Sequence, residues 1–323
     1  MGECLGLKAS AIAHPIQGLI KYHGLSNERL RLPFHDSISV CTAPLQTKTT
    51  FEFWDEETSV IINGKPADSR TLKRVDAVVL RVKDIVGIEE NYKMVSENSF
   101  PSNVGLGASS SGFAALALAS SKAAGLDLSL KEISCIARLG AGSASRSVTG
   151  YFSRWRNALT DEGSYSYLLD CELEMGMVVA LIPTFKETEE LHREVLTSPF
   201  FHSRLAYLHG ALAEMEFAIR NHDIEKIGEL AERDTLYLHT VTMTGKHERI
   251  LWRDETLKVI SEIKKMKEEG LKVYYSIDTG ASVYLNTYPE NTIEVYKRIR
   301  ELGIETLECR VGGEAKSTKK HLF

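Results

Sequence analysis

The residues best suited to chemistry lie in a run of small side chains, Phe100-Pro101-Ser102-Asn103-Val104-Gly105-Leu106-Gly107-Ala108-Ser109-Ser110-Ser111-Gly112-Phe113, which leads into an alanine-rich stretch ending at Ala124. A small-residue loop that runs straight into a helix lets phosphate oxygens approach backbone N–H groups, and the helix N-terminus adds partial positive charge. The serine hydroxyls can meet phosphate or the shell of a magnesium ion. The run lacks the Gly-Lys-Ser/Thr ending of a Walker A loop and is not a dinucleotide-binding fingerprint. A tight turn before a closely packed helix would use the same residues, so the pattern alone leaves both readings open. Far along the chain, Ile277-Asp278-Thr279-Gly280 puts a carboxylate at a strand end before a glycine turn. Such a place holds a carboxylate rigidly against a cleft, although an isolated Asp-x-Gly more commonly serves the turn itself.

The elements that must position these groups divide the chain near residue 185. The first part mixes short β-rich runs, Ser37 to Ala43, Thr49 to Phe53, Ser59 to Ile62 and Met177 to Ile182, and Asn63-Gly64 is a hairpin-turn signal. The second part opens on an amphipathic helix, Phe201 to Asn221, with Leu205, Leu208, Leu212, Met215 and Ile219 at spacings of three and four. A helix follows from Asp254 to Glu269, stopped by Gly270, then a strand from Lys272 to Ile277 that delivers Asp278. A third helix, Thr292 to Leu302, and a strand, Thr306 to Val311, complete an α+β sandwich with helices on one face of its sheet.

The phosphate loop resembles the nucleotide-binding motif of GHMP-family enzymes, specifically the mevalonate diphosphate decarboxylases. Other motifs of that family follow in order. Lys21-Tyr22-His23-Gly24 is similar to its Lys-Tyr-Trp-Gly-Lys, Leu32-Pro33-Phe34-His35-Asp36-Ser37-Ile38-Ser39 to its Leu-Pro-x-Asn-x-Ser-Ile-Ser, and Gly142-Ser143-Ala144-Ser145-Arg146-Ser147 to its Gly-Ser-Ala-Cys-Arg-Ser. Thr197-Ser198-Pro199, Ala231-Glu232 through His239-Thr240, and Ile277-Asp278-Thr279-Gly280 complete the series. The resemblance implies an α+β GHMP kinase fold, with a ribosomal S5 domain 2-like nucleotide-binding domain over residues 1–185 and a ferredoxin-like α/β sandwich over 186–323. It implies ATP and Mg2+ as cofactors, a phosphorylated mevalonate as the small-molecule substrate, and a homodimer. Asp278 becomes the catalytic aspartate at the substrate's 3-hydroxyl, Lys21 the cation that keeps it ionised, and Arg146, with Ser143, the fork for the substrate's carboxylate and phosphate end. Gly105, Gly107, Ser109, Ser110, Ser111 and Gly112 hold the nucleotide, with Ser109 oriented to the γ-phosphate. Tyr22, His23, His35 and Ser198 join the substrate pocket, and the neighbourhood of Arg70 to Arg74 is a candidate for adenine. The magnesium ligands stay open, with the ATP phosphates and Ser109 as the expected contacts.

Departures from the pattern bear on the substrate. Leu25 stands where the motif has its second lysine, His23 replaces the tryptophan, and His35 replaces the asparagine. The first motif reads Ala13-His14-Pro15-Ile16-Gln17-Gly18, and Lys186-Glu187-Thr188-Glu189-Glu190-Leu191 occupies a segment where some members place a cation for the diphosphate. Fewer cations suit a monophosphate, and the run from His14 to Gly24 resembles the archaeal-type phosphomevalonate decarboxylases. The expected reaction is therefore ATP-dependent decarboxylation of (R)-5-phosphomevalonate to isopentenyl phosphate. The alternatives are the diphosphomevalonate reaction, mevalonate 3-kinase chemistry, and a non-catalytic ligand sensor.

Composition removes other classes. The chain has 323 residues, a net charge of -5, 43% hydrophobic and 26% charged residues, which excludes disorder and fibrous repeats and argues against a nucleic-acid partner. Five scattered cysteines without CxxC spacing, Cys4, Cys41, Cys135, Cys171 and Cys309, form neither a disulfide framework nor a zinc site. His14, His23 and His35 match no metal-ligand spacing. With no secretion signal and no apolar run of about 20 residues, the expectation is a cytoplasmic protein that does not engage membranes.

Overall fold

The structure is a computed structural model that describes residues 8–101, 105–183 and 188–323. Cys4, Ser102 to Val104, Lys186 and Glu187 lie outside the described residues, as does the expected domain boundary at 185/186. Two main sheets organise the rest. The first runs in the order Lys316–Thr318, Ala9–Ala13, Thr47–Trp54, Asn91–Asn98, Ser59–Ile62, Lys65–Pro66. Its hairpin turns at Asn63-Gly64, both at positive φ, as the sequence predicts. The second sheet runs Ser166–Asp170, Phe152–Trp155, Ser37–Ala43, Thr306–Val311, Gly176–Ala180, Val283–Thr287, Val273–Ser276, with Ile16–Ile20 also paired to Ser37–Ala43.

The helices Ser69–Val86, Ala108–Ala123 and Leu130–Gly140 pack on the first sheet, where Val75, Val79, Phe113, Leu116 and Ile136 meet Phe51 and Met94 in one core. The second sheet is covered on both faces. Met177 and Val179 join a core with Leu208, Met215, Ile227 and Leu230 from the helices Phe201–Arg220 and Ile224–Met243. Their neighbours Val178 and Ala180 join Val259, Ile263 and Val295 from the helices Asp254–Glu268 and Thr292–Glu301. Successive strand residues point to opposite faces, so a strand between two helical layers must be apolar throughout.

That arrangement corrects the expectation of helices on one face only. The helix Ile224–Met243 supplies the missing layer, and its apolar stripe is interrupted by the buried Asp234, Thr235 and His239. It sits close on the sheet because Gly228 has no side chain: a Cβ there would lie 2.2 Å from the Tyr274 ring. The strand Val283–Thr287 likewise lacks a sequence signal, being buried along its full length and so free of alternation. Cys41, Cys135, Cys171 and Cys309 are free thiols, and no helix among the described residues is long and apolar enough to cross a membrane.

Candidate active site

A cavity of about 470 Å3 opens where the two sheets meet. The strand Ile16–Ile20 runs out into Lys21 and Tyr22 on its wall, and the strand Val273–Ser276 runs out into Asp278 and Thr279. The start of the helix Ala108–Ala123, the helix Ala144–Thr149, the start of Ser69–Val86 and the helix Thr188–Glu194 close the remaining sides.

At the centre, Gly18 donates its backbone N–H to both carboxylate oxygens of Asp278, at 3.2 Å to Oδ1 and 3.4 Å to Oδ2. The Ser276 hydroxyl donates to the Gly18 carbonyl at 2.8 Å, so the two strand ends are clasped to each other. Lys21 is buried, and its Nζ lies 3.8 Å from Asp234 Oδ2. Asp234 also accepts the Lys21 N–H at 2.9 Å and pairs with Arg204 at 3.0 Å, while Arg204 donates to the Lys21 carbonyl at 2.8 Å. Burial pulls the Lys21 ammonium below its ordinary pKa, and the charges of Asp234 and Asp278 push back. The carboxylates Asp234 and Asp278 thus share a buried cluster with the cations Lys21 and Arg204. Removing one member of such a buried set leaves an uncompensated charge.

Toward the side, Arg146 is buried with its guanidinium 5.5 Å from the Tyr22 ring and 5.8 Å from Trp155, and it donates to the Ser37 hydroxyl. Burial drops its pKa to about 10, opposed by Tyr22 and Asp278. Ser143, at the N-terminal end of the same short helix, shares the cavity wall. The Tyr22 ring meets Trp155 edge-on at 4.8 Å and stacks on His192 at 5.1 Å, which carries the wall on to Arg74 and Glu189.

The phosphate loop forms the opposite wall. Gly107 has φ 68° at the helix start, where a Cβ would lie 3.2 Å from the Ile16 carbonyl, and no side chain among the described residues caps the first turn. The helix therefore presents its N-terminal N–H groups beside Gly105 and the exposed Ser109, a cradle that fits the phosphates of a nucleotide. The hydroxyls of Ser110 and Ser111, expected at the nucleotide, are engaged within the protein. The Ser110 hydroxyl donates to the Gly107 carbonyl at 2.6 Å and accepts the Ile16 N–H at 3.2 Å, while Ser111 bonds the Thr47 hydroxyl at 2.6 Å. Both are buried and stitch the loop to the sheets, and Gly112 is off the cavity wall.

Asp278, Lys21, Arg146, Gly105, Gly107, Ser109, Tyr22 and Ser143 are thus brought to one cavity, along with Arg70 and Arg74. His23, His35 and Ser198 are not on its wall. His23 is buried behind it with its ring 4.9 Å from that of His192, His35 bonds the Asp36 carbonyl at 2.7 Å, and Ser198 bonds Thr244 at 2.7 Å. Leu25, which stands where the motif has its second lysine, is also off the wall, a buried residue of the strand Leu25–Asn27. Sequence reasoning missed Gly18, Glu189, His192, Asp234 and Arg204. The polar residues Arg204 and Asp234, each inside an apolar helical stripe, were the available signal for two of them.

A family model described as the diphosphomevalonate decarboxylase-like N-terminal domain matches residues 13–166, and one described as the mevalonate 5-diphosphate decarboxylase C-terminal domain matches 184–318. The chain is 44% identical to a phosphomevalonate decarboxylase of Haloferax volcanii, over 96% of this chain and 97% of that one. It is 32% identical to a diphosphomevalonate decarboxylase of Aspergillus fumigatus over 70% of this chain and 62% of that one. Among solved structures, a mevalonate diphosphate decarboxylase from Enterococcus faecalis superposes with a TM-score of 0.90 at 28% identity, covering 98% of this chain and 100% of that one. A structure described as MDDEF in complex with MVAPP, AMPPCP and magnesium gives 0.91 at 28% identity over the same shares.

Proposed function

The chain belongs to the diphosphomevalonate decarboxylase family, and from that premise we propose that it converts (R)-5-phosphomevalonate and ATP to isopentenyl phosphate, ADP, phosphate and CO2. The observation that carries the reading is the convergence of Asp278, Lys21 and Arg146 with the phosphate loop on one cavity, in a chain matched end to end by a phosphomevalonate decarboxylase. Its GHMP fold is that of the family's solved structures.

Bound ATP with Mg2+ supplies the phosphoryl group and much of the charge neutralisation that its transfer requires. Gly105, Gly107 and the helix start hold the phosphates, and Ser109 faces the γ-phosphate. Asp278, held by the Gly18 N–H, accepts the proton of the tertiary 3-hydroxyl as its oxygen takes the phosphoryl group. Lys21 keeps that carboxylate ionised and balances charge on the transferring group. Arg146 and Ser143 hold the C1 carboxylate so that the C1–C2 bond is aligned with C3. The C3–O bond then breaks with its electrons leaving on phosphate, and the C1–C2 electrons close the alkene as CO2 departs. Phosphate is a far better leaving group than hydroxide, which is the reason ATP is consumed. The free thiols of Cys41, Cys135, Cys171 and Cys309 support a reducing, cytoplasmic setting.

The test is a comparison of mevalonate, 5-phosphomevalonate and 5-diphosphomevalonate under one set of ATP and Mg2+ conditions. The monophosphate is expected to give the highest kcat/KM, by about tenfold or more, a difference of about 1.4 kcal/mol in transition-state stabilisation. A higher kcat/KM for the diphosphate contradicts the reading and favours the alternative that the 32% identical diphosphomevalonate decarboxylase of Aspergillus fumigatus represents.

A further inference from the structure

The cavity end beyond Tyr22 is built around an ion pair. Arg31, itself buried, grips Glu189 with two hydrogen bonds, at 2.7 Å to Oε1 and 3.3 Å to Oε2, and Glu189 forms part of the cavity wall. Burial works against charge on both partners, yet each stabilises the other enough that Glu189 stays below and Arg31 above its ordinary pKa. The Glu189 carboxylate is therefore held ionised, paired with the Arg31 guanidinium on the cavity wall.

Beside it lies His192, buried, with Nδ1 accepting the Gly24 N–H at 3.3 Å. That bond assigns the ring proton to Nε2, which has no partner among the described residues and belongs to a ring on the cavity wall. Burial and the neighbouring Arg31 lower the His192 pKa to about 4, so the ring is a neutral donor and adds no cation. Arg74, whose Nε donates to the Gly140 carbonyl at 2.7 Å, and Arg70 are further donors on the cavity wall. The same Arg31 that could have met an anion is already engaged by Glu189.

Order along the cavity places these groups. Arg146 feels the charge of Asp278 on one side and touches the Tyr22 ring on the other, and Tyr22 stacks on His192. In the proposed binding mode, a mevalonate with its C3 hydroxyl at Asp278 and its carboxylate at Arg146 extends its separate C4–C5 arm toward Arg74, His192 and Glu189. One phosphate finds the His192 and Arg74 donors. A second phosphate in the same direction reaches the Glu189 carboxylate, whose partner Arg31 is already committed, and like charges juxtaposed in a binding site are disfavoured.

We propose that Glu189, clamped by Arg31, limits this end of the cavity to a single phosphate and so makes the enzyme select the monophosphate over the diphosphate. The inference rests on the functional reading above and assigns its specificity to a residue. It also replaces a role for Leu25, which is not on the wall.

The experiment measures kcat/KM for 5-phosphomevalonate and 5-diphosphomevalonate in the wild type, in Glu189→Gln, and in the double variant Arg31→Gln/Glu189→Gln, which leaves no unpaired buried charge if the single change is poorly tolerated. The ratio of monophosphate to diphosphate use is expected to fall at least about tenfold in either variant, with the KM for ATP moving less than the KM for the diphosphate. Ratios within about twofold of wild type in both variants would overturn the role of Glu189. A wild type that already prefers the diphosphate, or fails on the monophosphate, sinks the functional reading instead, so the two failures are told apart by the wild-type arm alone.

Discussion

Asp278→Asn yields a folded protein that binds ATP normally and turns over at least about 10^3-fold more slowly, because a neutral amide cannot accept the hydroxyl proton. The substitution is nearly isosteric. Its Oδ1 can still accept the Gly18 N–H that holds Asp278 at 3.2 Å, so the clasp between the two strand ends survives. The loss should fall on kcat, with the KM for the mevalonate substrate changed only a few-fold, since the carboxylate acts on the reacting hydroxyl and Arg146 does the holding. Steady-state kinetics with a nucleotide-binding titration separates these quantities. Turnover within about tenfold of wild type would remove Asp278 from the mechanism.

Arg146→Gln is expected to lower kcat/KM by about 10^2 to 10^3, equivalent to about 3–4 kcal/mol, chiefly through a raised KM for the mevalonate substrate. The guanidinium is buried, bonded to Ser37 and wedged against Tyr22 and Trp155, so its fork is oriented before any substrate arrives. Arg146→Lys restores charge without the planar pair of donors and should recover only part of the loss. The KM for ATP, whose phosphates are proposed to bind at the opposite wall, should change little. Equal losses for ATP and the mevalonate substrate would instead mean that Arg146 supports the fold of the whole cavity.

Asp278 and Arg146 are both legible in the amino-acid sequence through their motifs, and several of the elements around them are legible through patterning. The strands Ser37–Ala43, Ser59–Ile62 and Thr306–Val311 follow from β-rich patterning and turn signals, and the hairpin at Asn63-Gly64 from turn chemistry. The helix Ile224–Met243 is hidden because Asp234 and His239 occupy its buried face, where Asp234 answers to Lys21 and Arg204 and the His239 ring meets Trp252. A pattern read for apolar periodicity fails at just such a functional interruption. The strand Val283–Thr287 is hidden for the opposite reason, since burial on both faces erases alternation.

The site divides along a similar line. Motif position identifies Asp278, Lys21, Tyr22, Ser143 and Arg146, all on the cavity wall, but does not say which way each serine of the loop turns. Ser109 faces the cavity, whereas Ser110 and Ser111 commit their hydroxyls to the Gly107 carbonyl and to Thr47. His23 and His35 sit inside matched motifs yet behind the wall. Glu189 and His192 reach the site only through tertiary packing of the helix Thr188–Glu194 against Arg31 and Gly24. No local spacing encodes that meeting.

If phosphorylation at C3 and decarboxylation are consecutive steps at one site, the stoichiometry of CO2 to ADP shows it. With purified protein, 5-phosphomevalonate, ATP and Mg2+, one CO2, one ADP and one phosphate are expected for each isopentenyl phosphate formed. ADP released with a stable 3-phosphorylated product and no CO2 would contradict it and make the protein a kinase.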